Sequence, residues 1–169
     1  MDIDRYEQTV RKHKDRVFSY AGWILRDREE ARDVSQEVLV KLWHNRSKVR
    51  EEAAKSWLLK TTHHLCIDRI RRRKVRGEVS SEEQVIPEVD PGPTPERLFR
   101  SGETGDAIAS ALDKLAAADR AIVLLREVQG LPYDEIAETL ALPLGTVKAK
   151  LHRARERLRR DLTVAGVAP

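Results

Sequence analysis

Residues Leu131 to Arg160, LPYDEIAETLALPLGTVKAKLHRARERLRR, leave few choices of local fold. Ile136, Ala137 and Leu140 give a short first helix one apolar face, and Ala141-Leu142-Pro143 interrupts it where a tight turn is needed. After the turn Val147, Leu151, Ala154, Leu158 and Leu162 recur at steps of three or four, which places them on one side of a second helix. The rest of that helix is polar. Lys148, Lys150, Arg153, Arg155, Arg157, Arg159 and Arg160 face the single acid Glu156, a net of +6 between Leu144 and Arg160. A duplex presents about one phosphate charge per 1.7 Å of axis, so such a face gains affinity by releasing counterions. Charge alone would also suit a solvated face on a core helix; the preceding helix and turn direct the reading to a helix-turn-helix on duplex DNA.

The chain of 169 residues is 36% charged and only 5% aromatic, a balance that favours small helical units over a thick central sheet. The charge is arranged basic, acidic, basic. Residues 1–74 hold 19 basic and 12 acidic side chains, 75–106 hold 3 and 8, and 107–169 hold 10 and 8. In the first segment Tyr6, Val10, His13, Val17, Tyr20, Ala21 and Ile24 predict a helix from about Arg5 to Leu25. Asp27 is placed to cap a second helix whose inward face is Ala31, Val34, Val38 and Leu42, with Arg32, Asp33, Gln36, Glu37 and Lys41 outside. After a charged loop from Arg46 to Glu52, a third helix is expected from about Ala53 to Lys74. Its apolar side carries Leu58, Thr62, Leu65, Cys66 and Ile70, and its opposite side Trp57, Lys60, His64 and Arg71.

Between Val79 and Gly105 the periodicity fails, and Pro87, Pro91, Pro93 and Pro95 with Gly92, Gly102 and Gly105 mark a linker. Leu98 and Phe99 are expected to form a short docking turn within it. Helical pattern resumes near Asp106 and runs through Ile122, Leu125 and Val128 to Gly130, which is read as its C-cap. With no strand alternation, the expected fold is all-α: two small helical domains, 1–76 and 106–169, joined by an acidic, proline-containing linker at 77–105, the second of about four helices and ending in the helix-turn-helix.

No run of about 18 apolar residues occurs, and MDIDRYEQTV lacks the apolar core of a signal peptide, so no membrane insertion is expected and the location is read as cytoplasmic. The one cysteine, Cys66, cannot form an internal disulfide. An enzyme is disfavoured: no phosphate-cradling glycine loop, nucleophile elbow or HExxH is present. His63 and Cys66 have a spacing that metal ligands can use, with His13 and His44 as further donors, but Cys66 lies on the apolar side and reads as core. No catalytic residue, metal or cofactor is expected.

Both ends resemble one family, the bacterial RNA polymerase sigma factors of the extracytoplasmic-function group. DVSQEVLVKLW, Asp33 to Trp43, resembles the family helix that grips the polymerase clamp, on the beta-prime subunit; WLLKTTHHLCIDRIRRRK, Trp57 to Lys74, resembles the helix that opens and reads the minus-10 element; and LREVQGLPYDEIAETLALPLGTVKAKLHRARERL is similar to the domain that reads the minus-35 element. The resemblance implies core polymerase (the clamp and the flap of the beta subunit), promoter DNA and an anti-sigma factor as partners. It implies polymerase contacts at Asp33, Gln36, Glu37, Leu39 and Trp43, and minus-10 contacts at Asn45, Arg46, Trp57, Lys60, His64, Arg71 and Arg72. For the minus-35 element it implies Thr146, Lys148, Lys150, His152, Arg153 and Arg155. These roles suit the residues. Carboxylates and an amide offer acceptors to arginines, an aromatic with cations suits a separated strand, and a hydroxyl in the first turn of a helix suits a phosphate. Opening is implied to need no nucleotide hydrolysis, since capture of an extruded base by residues 45–54 offsets unstacking.

Three positions depart from the family pattern. His64 stands where asparagine is usual, Ala149-Lys150 replaces a common Ser-Arg pair, and Pro132 replaces the serine that caps the first helix of the motif. Lys150 cannot pair bidentately with guanine, so base preference there is expected to be weaker or shifted. With nothing after Pro169, any signal is expected to arrive through a separate protein or through expression level. The remaining alternative is a plain helix-turn-helix regulator that acts without polymerase, which leaves the basic amino-terminal unit unexplained.

Overall fold

A computed structural model of the chain describes residues 1–77 and 102–167. Two compact units are present, Met1–Gly92 and Pro93–Pro169. The described residues contain helices and turns and no strand, as the sequence implies. The expected docking turn at Leu98 and Phe99 and most of the expected linker lie outside the described residues.

The first unit is built from α1 (Ile3–Leu25), α2 (Arg28–Asn45) and α3 (Ala54–Arg76), which pack against one another. Asp2 starts α1 by accepting the Arg5 amide at 2.8 Å, and Asp27 caps α2 by accepting from Glu30 at 3.0 Å. Arg26 separates the two helices in a left-handed conformation, φ 55. Its amide still reaches Gly22 O, and its guanidinium lies 4.9 Å from the Trp23 ring centre. Val17, Tyr20 and Ala21 meet Ala31, Val34, Val38 and Leu42 with Leu58, Leu59 and Cys66 in a fully buried core. The end of α1 is enclosed on all sides, since Ser19, Gly22, Trp23 and Leu25 are buried beside the predicted stripe. The expected loop after α2 contains one extra element, a 3-10 turn at Glu51–Ala53 that leads into α3.

The second unit comprises α4 (Gly102–Asp113), α5 (Ala117–Val123) prolonged by a π turn (Leu124–Val128), α6 (Tyr133–Leu140) and α7 (Leu144–Val164). α4 begins four residues before the expected start, and Gly105 is buried within it, a small residue in a packed helix rather than a mark of linker. The π turn is fixed by Gln129 N to Leu124 O at 2.9 Å, after which Gly130 takes φ 70 and ends the helix as expected. Ile122, Leu124, Leu125, Ile136, Val147 and Leu151 form the centre of this unit. α6 ends at Ala141, φ 54, a left-handed alanine where glycine is the easier residue. Among the described residues no helix is long and apolar enough to cross a membrane.

Candidate nucleic-acid interface

Three surfaces carry the predicted site residues. On α2 the four fully buried residues Ala31, Val34, Val38 and Leu42 fix the rotation of the helix, and Asp33, Gln36 and Glu37 are exposed on its other side. Glu37 also reaches across to Arg69 of α3, 3.9 Å away. Val40, 53% exposed, shares this side and was not singled out from the sequence. Its signal was available, because it falls seven residues after Asp33 and so on the same stripe. An exposed valine among acceptors suits a protein partner better than water. Leu39 and Trp43 are half-buried on the flank that meets α1. The Tyr6 hydroxyl donates to Leu39 O at 2.8 Å, and the Trp43 ring stands edge-on to Tyr6 at 5.0 Å.

The second surface begins where α2 ends. Asn45 donates to Lys41 O at 2.8 Å, which satisfies a terminal carbonyl of the helix. Arg46 stacks its guanidinium 3.8 Å from the Trp43 ring centre and donates to Trp43 O at 2.8 Å. Beyond it Val49 is a buried anchor, while Ser47, Lys48 and Arg50 to Ala53 are exposed. On α3, Trp57 and Lys60 are half-buried and His64 and Arg71 exposed, one stripe opposite the core. Arg72 is exposed and pairs with Asp68 at 2.9 Å.

Two neighbours of this stripe have structural roles that the sequence reading missed. His63 is 6% exposed and its Nδ1 lies 2.8 Å from the Tyr20 hydroxyl. Burial, with a smaller push from His64, lowers its pKa to about 4. Arg73, 8% exposed, pairs with Glu30 of α2 and donates to Leu25 O at 3.2 Å. Both were detectable from register, since His63 precedes the core residue Cys66 by three positions and Arg73 follows it by seven. Cys66 itself is buried and its thiol pKa is pushed up by that burial, so it takes the core role rather than a ligand's. Among the described residues no three His, Cys, Asp or Glu side chains come together as a metal site.

The third surface is α7. Val147, Leu151 and Ala154 are buried, which turns Lys148, His152 and Arg153 to solvent and leaves Thr146 and Lys150 half-buried. Neither α6 nor α7 has a side-chain cap, and prolines 132 and 143 precede them. The amides of their first turns therefore lack a side-chain acceptor. Lys148 Nζ lies 5.9 Å from the Tyr133 ring centre, and Arg126 of the π turn is 4.3 Å from the same centre. Arg155, half-buried, has a partner within the unit: its Nε and Nη2 both engage Glu127 Oε1. Partial burial opposes its charge, yet the Glu127 bond and charge, with the Tyr133 hydroxyl, prevail and raise its pKa. Arg159 is likewise held by Glu156 at 2.6 Å.

Comparison with known proteins matches residues 9–76 to the Sigma-70 region 2 family and residues 105–158 to the Sigma-70 region 4 family. The chain is 33% identical over 156 residues to the ECF RNA polymerase sigma factor SigE of Mycolicibacterium smegmatis, covering 91% of this chain and 60% of that protein. It is 30% identical over 172 residues to SigW of Bacillus subtilis, covering 95% of this chain and 90% of that protein. Among solved structures, the sigma factor RpoE from Bartonella quintana, crystallised with the anti-sigma factor NepR, superposes with a TM-score of 0.77 at 22% identity, over 96% of this chain and 99% of that one. CnrH, in complex with the cytosolic domain of CnrY, gives 0.63 at 22% identity, over 94% and 88%.

Proposed function

The chain belongs to the extracytoplasmic-function sigma factors, and on that premise we propose that it binds core RNA polymerase and directs promoter recognition, opening and transcription initiation from the cytoplasm. The observation that carries this reading is the presence in one chain, in this order, of a region 2 unit and a region 4 unit. A regulator that acts without polymerase has no use for the first.

In this reading the exposed acceptors Asp33, Gln36 and Glu37, with Val40 between them, dock on the polymerase clamp, while half-buried Leu39 and Trp43 hold that helix to its neighbours. Trp57, Lys60, His64 and Arg71 receive the separated minus-10 strand by stacking and charge. The Asn45 to Ala54 segment captures an extruded base there, its entry fixed by Arg46 on Trp43 and its middle by Val49. Arg72 supplies phosphate contact beside it. In the second unit Thr146, Lys148, Lys150, His152 and Arg153 face the minus-35 duplex, and the flap of the beta subunit is this unit's polymerase partner. Recognition of this kind requires binding alone, and the bond-forming chemistry belongs to the polymerase. An anti-sigma factor is a further proposed partner, since both solved neighbours are in complex with other proteins, one of them the anti-sigma factor NepR.

The test is reconstitution with core polymerase. Wild type should co-elute with core enzyme and support transcription from a library of promoter sequences. Asp33→Lys with Glu37→Lys should lose co-elution while its helical circular dichroism is retained. Undiminished core binding in that double variant would remove α2 from the docking surface; failure of the wild type to bind core enzyme would overturn the function.

A further inference from the structure

We propose that Glu127 limits the sequence-independent DNA affinity of this protein by occupying the guanidinium fork of Arg155, a cation otherwise placed to grip the phosphate backbone. The inference rests on reading the second unit as a duplex-binding helix-turn-helix. Arg155 follows Lys148 by seven residues, two turns of α7, so the two share one flank of the helix. Its side chain is 40% exposed, within reach of an approaching duplex. A free arginine in that position is a phosphate contact in waiting.

The structure disposes of its donors in another way. Nε and Nη2 both turn to one carboxylate oxygen of Glu127, and the nearby Tyr133 hydroxyl further favours the charged form. Glu127 lies in the π turn that ends α5, Tyr133 opens α6, and Arg155 is on α7, so all three elements meet at this fork. The Tyr133 ring gathers Arg126 and Lys148 as well. Two neighbouring cations on the same flank are thereby treated differently. Lys148 keeps an exposed ammonium over an aromatic face, while Arg155 has its fork filled by a carboxylate.

Such an arrangement has a purpose beyond holding helices together. A phosphate contact strengthens binding to every sequence alike. A protein that must find few promoters among a great excess of other duplex is drawn away from them by each such contact. A carboxylate that neutralises one cation on the reading helix reduces that background without touching the residues that face bases. The effect is specific to one residue pair, and it separates cleanly from a structural role, which would weaken binding when either partner is removed.

The experiment measures binding of the full chain to a mixed-sequence duplex oligonucleotide by fluorescence anisotropy over a series of salt concentrations. Arg155→Gln should leave the slope of log affinity against log salt at the wild-type value. Glu127→Gln should bind more tightly and steepen the slope by about 0.9, the contribution of one added phosphate contact. The Glu127→Gln, Arg155→Gln double variant should return to the wild-type slope. A slope that falls in Arg155→Gln would show that Arg155 already contacts phosphate and would overturn the proposal, and this arm decides the matter even if Glu127→Gln proves unfolded. A slope that stays raised in the double variant would assign the effect to long-range charge and overturn it too. A wild-type chain that binds no duplex would instead overturn the helix-turn-helix reading, and this inference with it.

Discussion

Acidification should destabilise the amino-terminal unit, and His63 should account for a defined part of the loss. Its ring is buried against Tyr20, with a pKa lowered from 6.5 to about 4 by burial and then by His64. The Tyr20 hydroxyl can turn to accept from a protonated Nδ1, so the bond survives; the solvation of the new charge does not. In the unfolded chain the ring titrates near its ordinary value. Between that value and about 4 the unfolded state binds more protons than the folded one, so stability rises with pH across this window and falls as the solution is acidified through it. At about pH 5 the loss from this one group is about 2 kcal/mol relative to neutral pH, and near pH 4 about 3 kcal/mol. Against a typical total of about 5–15 kcal/mol that is a large share. The three tryptophans, Trp23, Trp43 and Trp57, all lie in the first unit, so tryptophan fluorescence in urea reports on that unit by itself. His63→Gln keeps a polar group for Tyr20 but cannot titrate. Between about pH 7 and about pH 5 the wild type should lose about 2 kcal/mol more than this variant. His13, also lowered to about 4 by burial and then by Arg16, Lys12 and Lys55, is present in both proteins and cancels from the comparison. Equal losses in the two proteins would refute the argument that a buried neutral His63 carries this pH dependence.

Arg73→Leu should cost about 3–5 kcal/mol in the same urea assay, because it strands the Glu30 oxygen that faces it, Oε2, which is buried. Arg71→Leu, on the exposed stripe, should stay within about 0.5 kcal/mol of wild type, and equal costs for the two would contradict the placement of Arg73. Ala141→Gly should stabilise the second unit by about 1 kcal/mol, since the residue adopts φ 54; thermal unfolding followed by helical dichroism measures it, and a lowered midpoint would argue against a left-handed turn. In minus-35 binding, Arg153→Ala should relax preference at one base position and cost about 1–3 kcal/mol, whereas Lys148→Ala should weaken all sequences alike and flatten the salt dependence. Binding to a panel of duplexes at several salt concentrations distinguishes them, and an Arg153→Ala protein with undiminished preference would reverse the two roles.

Much of the fold was legible because helices declare themselves locally. The 3.6-residue stripes of α1, α2 and α7 and the cap at Asp27 need only neighbours within a turn or two, and each is found where those residues place it. What failed to show was decided at longer range. Gly105 looks like punctuation in sequence and is buried inside α4, because a glycine's role depends on what packs against it. The π turn at Leu124–Val128 leaves no periodic trace, since the run that leads into it, Ala121 to Leu125, is apolar and buried throughout and shows no stripe whose phase could shift. The enclosed end of α1 reads as one-sided for a similar reason. Small and aromatic residues at Gly22 and Trp23 do not look like core until two other helices close over them.

The candidate site was legible in kind but not in its division of labour, and ion pairing is the reason. Arginines 71, 72 and 73 are identical in sequence, yet one is exposed, one pairs with Asp68 on its own helix, and one is buried against Glu30 of another. The Asp68 pair follows from helical spacing; the Glu30 pair requires knowing how α2 and α3 pack. On α7 the same logic changes a magnitude. Taken from composition, seven cations between Leu144 and Arg160 would give this helix a salt slope of about −6. Glu127 and Glu156 engage Arg155 and Arg159; if both pairs persist on DNA, five cations remain to release counterions and the helix contributes about −4.5. Glu156 was visible as a neighbour in sequence, but Glu127 lies 28 residues from its partner, across the π turn and α6. A charge count therefore sets only the upper limit of what this helix can do on DNA, and the carboxylates that reach it from other elements set the working value.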